Sequence, residues 1–114
     1  CAEALESVER SEILLAVQEA CTNVVRHAYA DQQALGAIEV LLECRGDLLR
    51  IRVTDQGSGW DPTVVPAPDL GQPREGGMGL FLMRKLMGKV TYSRRDGRNS
   101  LVLERSLWPN PRTP

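Results

Sequence analysis

Glu19 and Asn23 stand four residues apart in the sequence EACTN, within a stretch of apolar residues at helical spacing. Residues four apart share one face of a helix, so this spacing would place a carboxylate beside an amide oxygen. A carboxylate can serve as a general base, and Mg²⁺ prefers oxygen ligands. Taken alone, such a pair is more often two solvated residues on the outer face of a helix.

An acid followed by two glycines marks a second candidate site, in the sequence DQGSG at 55–59. The simpler interpretation is a turn, because Asp favours turns and glycine adopts positive φ. In the functional interpretation, Asp55 accepts a hydrogen bond from an exocyclic amino group, while Gly57 and Gly59 let a flat ring approach the backbone. The motif by itself is compatible with both interpretations.

A glycine-rich sequence, GGMGL at 76–80, lies between a stretch rich in Pro and Gly and a predicted helix. Unpaired N–H groups and the positive end of the helix can hold phosphate oxygens at such a place. A glycine-rich helix entry without a ligand is the commoner occurrence. The sequence has no GKS or GKT and no GxGxxG after a strand, which excludes a Walker P-loop and a Rossmann fingerprint.

The first motif must be positioned by a helix, which hydrophobic periodicity predicts over residues 11–29, with Ser11 as its N-cap. On a helical wheel Glu19, Asn23 and His27 fall on the side away from the apolar stripe. The residues that form this predicted stripe are Ile13, Leu14, Val17, Ala20, Cys21, Val24, Val25 and Ala28.

The other two motifs must be positioned by strands and by a second, shorter helix. Alternating apolar residues predict strands over 37–44, 48–54, 89–95 and 98–107, joined in two hairpins by turns at 45–47 and 96–97. A helix is predicted over 79–87, with Gly88 as its C-cap. This order of elements predicts a sheet covered by helices on one face.

Composition and charge limit the class of protein. With 114 residues, 42% hydrophobic and 25% charged, the chain has the composition of one globular domain, which we assign to residues 1–108, with a disordered tail over 109–114. A net charge of −1 argues against a nucleic-acid partner. No long apolar run or signal peptide is present in the sequence, so we expect a cytoplasmic protein without a membrane partner.

Cysteine usage and the first residues give two further expectations. The chain has 3 cysteines without CxxC spacing, which argues against a disulfide framework and a zinc site. We therefore expect Cys21 and Cys44 to be small buried apolar residues. Because the sequence starts with Cys within a helix-like acidic stretch, we expect it to be a piece of a longer protein.

Together and in this order, the three motifs resemble the N, G1 and G2 boxes of the GHKL, or Bergerat-fold, ATPases. The longer patterns EAxxNxxxHAY at 19–29, DxGxGWDP at 55–62 and GGMGLFLMRKLM at 76–87 look most like the bacterial anti-sigma factor serine/threonine kinases. The resemblance covers nearly the whole chain. It implies an α+β fold, a two-layer sandwich whose mixed, mostly antiparallel sheet is covered by helices on one face, and it implies that the N-terminal part is missing.

The resemblance implies a role for each motif residue. Glu19 would activate the attacking hydroxyl as a general base, Asn23 would bind Mg²⁺, and Asp55 would recognise the adenine amino group. Arg74, in a lid over residues 63–75, would contact the terminal phosphate, while Ser100 would reinforce Asp55 where the family has a threonine. The other residues expected at the ATP site are Gly57, Gly59, Trp60, Gly77, Met78, Gly79 and Leu80.

The implied function is transfer of the γ-phosphate of ATP to a serine or threonine of an anti-anti-sigma protein with a STAS fold, with a sigma factor as a further partner. Two alternatives stay open: an ATP-binding module that sequesters a regulator, and the catalytic domain of a histidine kinase. Glu19 favours an enzyme. The single histidine, His27, lies within the first motif, where we expect it to orient or pack the helix. A homodimer also stays open, but the missing N-terminal strand would leave one sheet edge unpaired, which argues against dimer formation.

Overall fold

The computed structural model describes residues 6–28, 36–59, 61, 63 and 78–107. Helix α1 (Ser7–Asn23) continues into a π-helical turn (Val24–Ala28) and is followed by strands β1 (Ile38–Arg45) and β2 (Leu48–Asp55). Helix α2 (Met78–Met87) precedes strands β3 (Lys89–Arg95) and β4 (Arg98–Ser106). The tail predicted over 109–114, and the predicted lid apart from Thr63, lie outside the described residues.

The described strands form a four-stranded sheet in the order β1-β2-β4-β3, in which each pair of neighbours is antiparallel. The second hairpin turns at Asp96 and Gly97, whose φ angles of 53° and 76° suit a tight two-residue turn. The predicted C-cap of α2 is confirmed, because the N–H of Gly88 donates to the carbonyl oxygen of Arg84 at 2.9 Å.

The core lies between the two helices and one face of the sheet. Since side chains alternate along a strand, every second residue of β2 and β4 points to the same side. The buried apolar residues of this layer are Leu49, Ile51, Val53, Val90, Leu101 and Leu103 from the sheet, with Leu80, Met83 and Met87 from α2. This two-layer arrangement agrees with the prediction from the order of elements.

Helix α1 differs from its prediction at its start and in its apolar face. It begins at Ser7 with Glu6 as N-cap and no side-chain cap hydrogen bond, so Ser11 is an interior residue. The predicted stripe is too wide, because Leu14 and Val25 are 68% and 44% exposed. The buried positions are Ile13, Ala16, Ala20 and Val24, which follow spacings of three and four residues. Leu14 and Val25 are each one position, about 100°, away from this narrow row.

Arg105 of β4 joins the two helices at one end of the molecule. Its guanidinium donates to the carbonyl oxygen of Leu86 at 3.0 Å and lies 2.9 Å from a carboxylate oxygen of Glu12 and 3.6 Å from one of Glu9. The start of α1 and the end of α2 therefore meet at Arg105, and the two helices run antiparallel.

Strand β1 is an edge of the described sheet and is largely exposed. Its apolar residues Val40, Leu41 and Leu42 are 41%, 52% and 58% exposed. Cys44 is also exposed and is disulfide-bonded, so the prediction of a buried, unbridged residue is wrong there. Cys21 is a free cysteine packed against the core, and burial raises the pKa of its thiol. No helix within the described part of the chain is long and apolar enough to span a membrane.

Candidate functional site

The end of β2 carries a buried carboxylate. Asp55 is the last residue of the strand and is only 6% exposed. Its Oδ1 accepts a hydrogen bond from the backbone N–H of Gly57 at 2.9 Å, which closes a turn directly after the strand. A buried carboxylate needs such donors, because burial without hydrogen bonds strongly disfavours its charge.

Asn99 of β4 lies opposite Asp55 in the sheet and is 2% exposed. Its Nδ2 donates to Oδ1 of Asp55 at 2.8 Å and to the carbonyl oxygen of Gly57 at 3.2 Å. Its Oδ1 accepts hydrogen bonds from the Tyr92 hydroxyl and from Arg94, each at 2.7 Å. Since an amide offers two donors and two acceptor positions, this set uses all of them and fixes the orientation of the Asn99 side chain.

Arg94 of β3 closes the network around the turn. Its guanidinium donates to the carbonyl oxygen of Gly57 at 3.1 Å as well as to Asn99. A Cβ at Gly59 would come within 2.6 Å of the same guanidinium, and Gly59 has a φ of 93°. The backbone conformation therefore favours glycine at this position, and a side chain here would also have to displace the Arg94 guanidinium. Burial raises the pKa of Tyr92, although Arg94 opposes the shift, so the hydroxyl keeps the proton that it donates.

Ser100 is not brought to Asp55. It pairs with Thr54 on one side and with Ser93 on the other, and its side chain lies on the opposite face of the sheet from Asn99. The position that the sequence suggested for Ser100 is thus occupied by the amide of Asn99. Strand alternation contains the signal that identifies it, because Asn99 shares its face with the buried Leu101 and Leu103.

Replacing Asn99 by alanine is expected to lower the free energy of unfolding by about 1–3 kcal/mol, because Asp55, Tyr92 and Arg94 each lose a hydrogen-bond partner. The matched variant Ser100→Ala should change it by no more than about 0.5 kcal/mol. Urea unfolding followed by circular dichroism measures both. Equal destabilisation by the two variants would contradict the assignment of Asn99 to this network.

A second cluster forms where the end of α1 meets the first turn of α2. A Cβ on Gly79 would lie 3.0 Å from Oε1 of Glu19 and 3.4 Å from Oδ1 of Asn23. The helical wheel placed Glu19 and Asn23 on the side away from the apolar stripe, where they would be solvated. In the structure both side chains are instead half-buried. The N-terminus of a helix presents unpaired N–H groups and a positive dipole, which attract anionic groups. The cluster thus combines two oxygen donors with an anion-attracting backbone.

The chemistry of this cluster fits a hydrated divalent cation. Mg²⁺ usually takes one or two protein oxygens and keeps several waters, and the amide oxygen of Asn23 is a donor of this kind. Among the other residues expected at the ATP site, Met78 is the first residue of α2 and Leu80 is buried in the core. Arg74, Gly77 and Trp60 lie outside the described residues.

His27 lies in the π-helical turn that follows α1 and is half-buried. Burial lowers its pKa, and the neighbouring Arg26 lowers it further, so the imidazole is neutral near pH 7. A neutral, half-buried imidazole at a helix end is compatible with the predicted role in orienting or packing the helix.

Comparison of the sequence with known protein families identifies the family of this chain. The model of the histidine kinase-like ATPase domain matches residues 1–105. The chain belongs to this family. The resemblance to the GHKL ATPases is thereby confirmed, and ATP is the ligand that membership in the family implies.

Relatives of this histidine kinase-like ATPase domain include two bacterial protein kinases. Serine-protein kinase RsbW of Staphylococcus epidermidis is 35% identical over 100 residues, which cover 81% of this chain and 62% of that protein. Serine-protein kinase RsbW of Staphylococcus aureus strain MRSA252 is 34% identical over 91 residues, covering 73% of this chain and 57% of that protein. The chain thus spans about three fifths of the length of these curated relatives.

Two solved structures share the fold. The histidine kinase domain of the Erythrobacter litoralis EL346 blue-light activated histidine kinase superposes with a TM-score of 0.60 at 21% identity, over 87% of this chain and 45% of that one. Acinetobacter baumannii histidine kinase AdeS gives a TM-score of 0.62 at 18% identity, over 89% of this chain and 48% of that one. At this identity the similarity confirms the α+β fold alone.

Proposed function

We propose that this domain binds ATP with Mg²⁺ and transfers the γ-phosphate to a serine or threonine hydroxyl of a partner protein. The observation that carries the proposal is the convergence of Glu19 Oε1 and Asn23 Oδ1 on Gly79, at 3.0 and 3.4 Å from a Cβ built there. A carboxylate and an amide oxygen beside a helix N-terminus supply a base, a cation ligand and a phosphate cradle in one place.

The adenine end of the site is assigned to the turn after β2. Asp55 receives both Gly57 N–H and Asn99 Nδ2 on Oδ1, and we assign Oδ2 to the exocyclic amino group of adenine. The network of Asn99 and Arg94 keeps the carboxylate in place before a ligand binds. A preorganised acceptor loses less conformational entropy on binding, which supports affinity.

The phosphate end is assigned to the cluster at Gly79. Mg²⁺ bound to Asn23 would offset the charge of the phosphate oxygens. Glu19 takes the proton of the attacking hydroxyl while the hydroxyl oxygen forms a bond to the γ-phosphorus. The bond between the γ-phosphorus and the β–γ bridging oxygen of ATP breaks, and ADP leaves with that oxygen. The backbone N–H groups in the first turn of α2 hold the phosphates in line.

For the partner, the proposal is an anti-anti-sigma protein of the STAS type, with a sigma factor as a second ligand. Its support is the similarity, at 35% identity, to proteins named serine-protein kinase RsbW. The experiment incubates the domain with γ-labelled ATP, Mg²⁺ and a STAS-type protein. Acid-stable label on a serine or threonine of that protein supports the kinase. ATP binding without transfer would point to a sequestering module, and acid-labile label to histidine kinase chemistry.

Replacing Gly79 by alanine tests the phosphate end without removing a functional group. Alanine is favoured over glycine in helices by up to about 1 kcal/mol, so the melting temperature should not fall. The methyl group would push the Glu19 carboxylate out of place, since it would lie 3.0 Å from Oε1. We expect phosphate transfer to fall roughly tenfold or more, because small misplacements of a catalytic group are costly. Lys85→Ala, on the exposed side of α2, is the control, and equal transfer by both variants would contradict the assignment.

A further inference from the structure

The outer face of the sheet, on the side away from the helices, contains a concave pocket of about 620 Å³ near the turn between β3 and β4. Its lining includes Arg52, Ser93, Arg95, Asp96, Arg98 and Ser100. The strand register places the Arg and Ser residues of this set on the face opposite to Asp55 and Asn99. The pocket is therefore separate from the proposed nucleotide site. It is called the outer pocket below.

The cations of the outer pocket are not neutralised within the described part of the chain. Arg95 and Arg98 are directly opposite each other across β3 and β4, an arrangement in which like charges repel. Neither they nor Arg52 form an ion pair with a described carboxylate. All three arginines are exposed. A fourth lining arginine, Arg94, directs its guanidinium to Gly57 and Asn99 on the inner face.

The opposite end of the same face shows the contrasting arrangement. There Glu104 lies between two cations, 2.8 Å from Arg50 and 3.8 Å from Lys89. Opposite charges placed across neighbouring strands attract each other, so these two cations have a partner within the sheet. The arginines at the outer pocket have no such partner among the described residues, so a bound anion could pair with them.

The charge and the hydrogen-bond donors of the outer pocket match a phosphate monoester. Three free arginines against Asp96 leave an excess of two positive charges, and a phosphate monoester carries about −1.5 to −2 at neutral pH. A guanidinium group donates two hydrogen bonds to two oxygens of a phosphate. A phosphate monoester has three such oxygens, whereas a single carboxylate has two. Ser93 and Ser100, direct neighbours in the sheet, add two hydroxyl donors.

We propose that the outer pocket is a binding site for a phosphate monoester group, carried either by a phosphorylated residue of a protein or by a small phosphorylated compound. The outer pocket lies on the sheet face opposite to Asp55. Binding there requires neither nucleotide binding nor phosphate transfer by this domain.

The test is an NMR titration of the ¹⁵N-labelled domain near 150 mM salt, with a non-hydrolysable ATP analogue at saturation to block the nucleotide site. The probes are inorganic phosphate, a phosphoserine peptide, and the same peptide with serine or glutamate at that position. We expect saturable shifts of the Ser93, Arg95, Arg98 and Ser100 amides with the phosphorylated probes. Tighter binding of the phosphopeptide than of inorganic phosphate would identify a phosphoprotein as the source, and equal binding a small compound.

Charge-reversal variants provide the matched controls. Arg98→Glu and Arg52→Glu should each weaken phosphopeptide binding roughly tenfold or more, the effect of losing a charge-assisted hydrogen bond. Arg45→Glu, on the same face but at the far end of β1, should leave it unchanged. Circular dichroism shows whether each variant is folded. Absence of saturable shifts in the wild type, equal binding of the glutamate peptide, or equal weakening by Arg45→Glu would each overturn the proposal.

Discussion

Replacing Asp55 by asparagine is expected to weaken ATP and ADP binding by a factor of roughly 5 to 150, the equivalent of about 1–3 kcal/mol for an unpaired buried group. The asparagine oxygen can still accept from Gly57 and Asn99, so the inner network persists. Its NH₂ group would then face the exocyclic amino group of adenine, donor against donor. Isothermal titration calorimetry measures the affinity, and urea unfolding should show that the fold is retained.

The control for this substitution is Asp47→Asn, in the exposed turn between β1 and β2. It removes the same charge from the domain without touching the strand end. If Asp55→Asn binds nucleotide as tightly as Asp47→Asn does, the adenine contact at Asp55 is refuted. If the folded wild type binds no nucleotide, the whole site assignment is refuted.

Replacing Glu19 by glutamine is expected to leave ATP affinity nearly unchanged and to lower phosphate transfer by roughly 10²–10⁴-fold, the usual contribution of a positioned base. The amide keeps the shape of the side chain beside Gly79 but cannot take up the proton. Asn23→Ala should differ, because losing the proposed Mg²⁺ ligand would lower both affinity and turnover. Parallel calorimetry and γ-phosphate transfer assays at saturating ATP separate the two defects.

Glu43→Gln, exposed on β1, is the control for the loss of one carboxylate. Full transfer activity in Glu19→Gln would remove the base from the mechanism while leaving the nucleotide site untouched. A wild type that binds ATP and labels no partner would favour the sequestering module.

Much of the fold was predictable because local patterns determine it. Alternation and turn residues predict all four described strands to within one residue at each end, and helix α2 to within one residue. Glycine-containing turns and period-two alternation are local signals, so they do not depend on what packs against them. The start of α1 was not predictable in this way, since Ser11 resembles a cap and Glu6, the actual N-cap, makes no side-chain cap bond.

The candidate site was predictable in its motifs but not in all of its contacts. The sequence brings Glu19 and Asn23 onto one helix face, yet only the packing of α2 shows that Gly79 closes that face. Asn99 was missed in favour of Ser100 because a family threonine suggested a hydroxyl. Its four hydrogen bonds join β2, β3 and β4, and such a network depends on strand order, which no local pattern specifies.

The exposure of the apolar residues of β1 also depends on the tertiary arrangement. Val40, Leu42 and Cys44 share the sheet face on which the core lies, and alternation alone would bury them. They are exposed because β1 is an edge of the described sheet, whereas β2 and β4 lie at its centre. An apolar residue is buried only where a second layer of the fold covers it. The sequence of a strand alone does not show whether such a layer packs on it.

The contacts of Arg105 join the two helices at one end, called the fixed end here, and the proposed phosphate site lies at the other, called the working end. Glu12 is held at Arg105, whereas Asn23, eleven residues along α1 and so roughly 16 Å away, lies beside Gly79. A library of variants selected for heat tolerance is therefore expected to accumulate substitutions around the fixed end. A library selected for turnover should accumulate them around the working end, so the two traits can be improved in the same protein with little conflict.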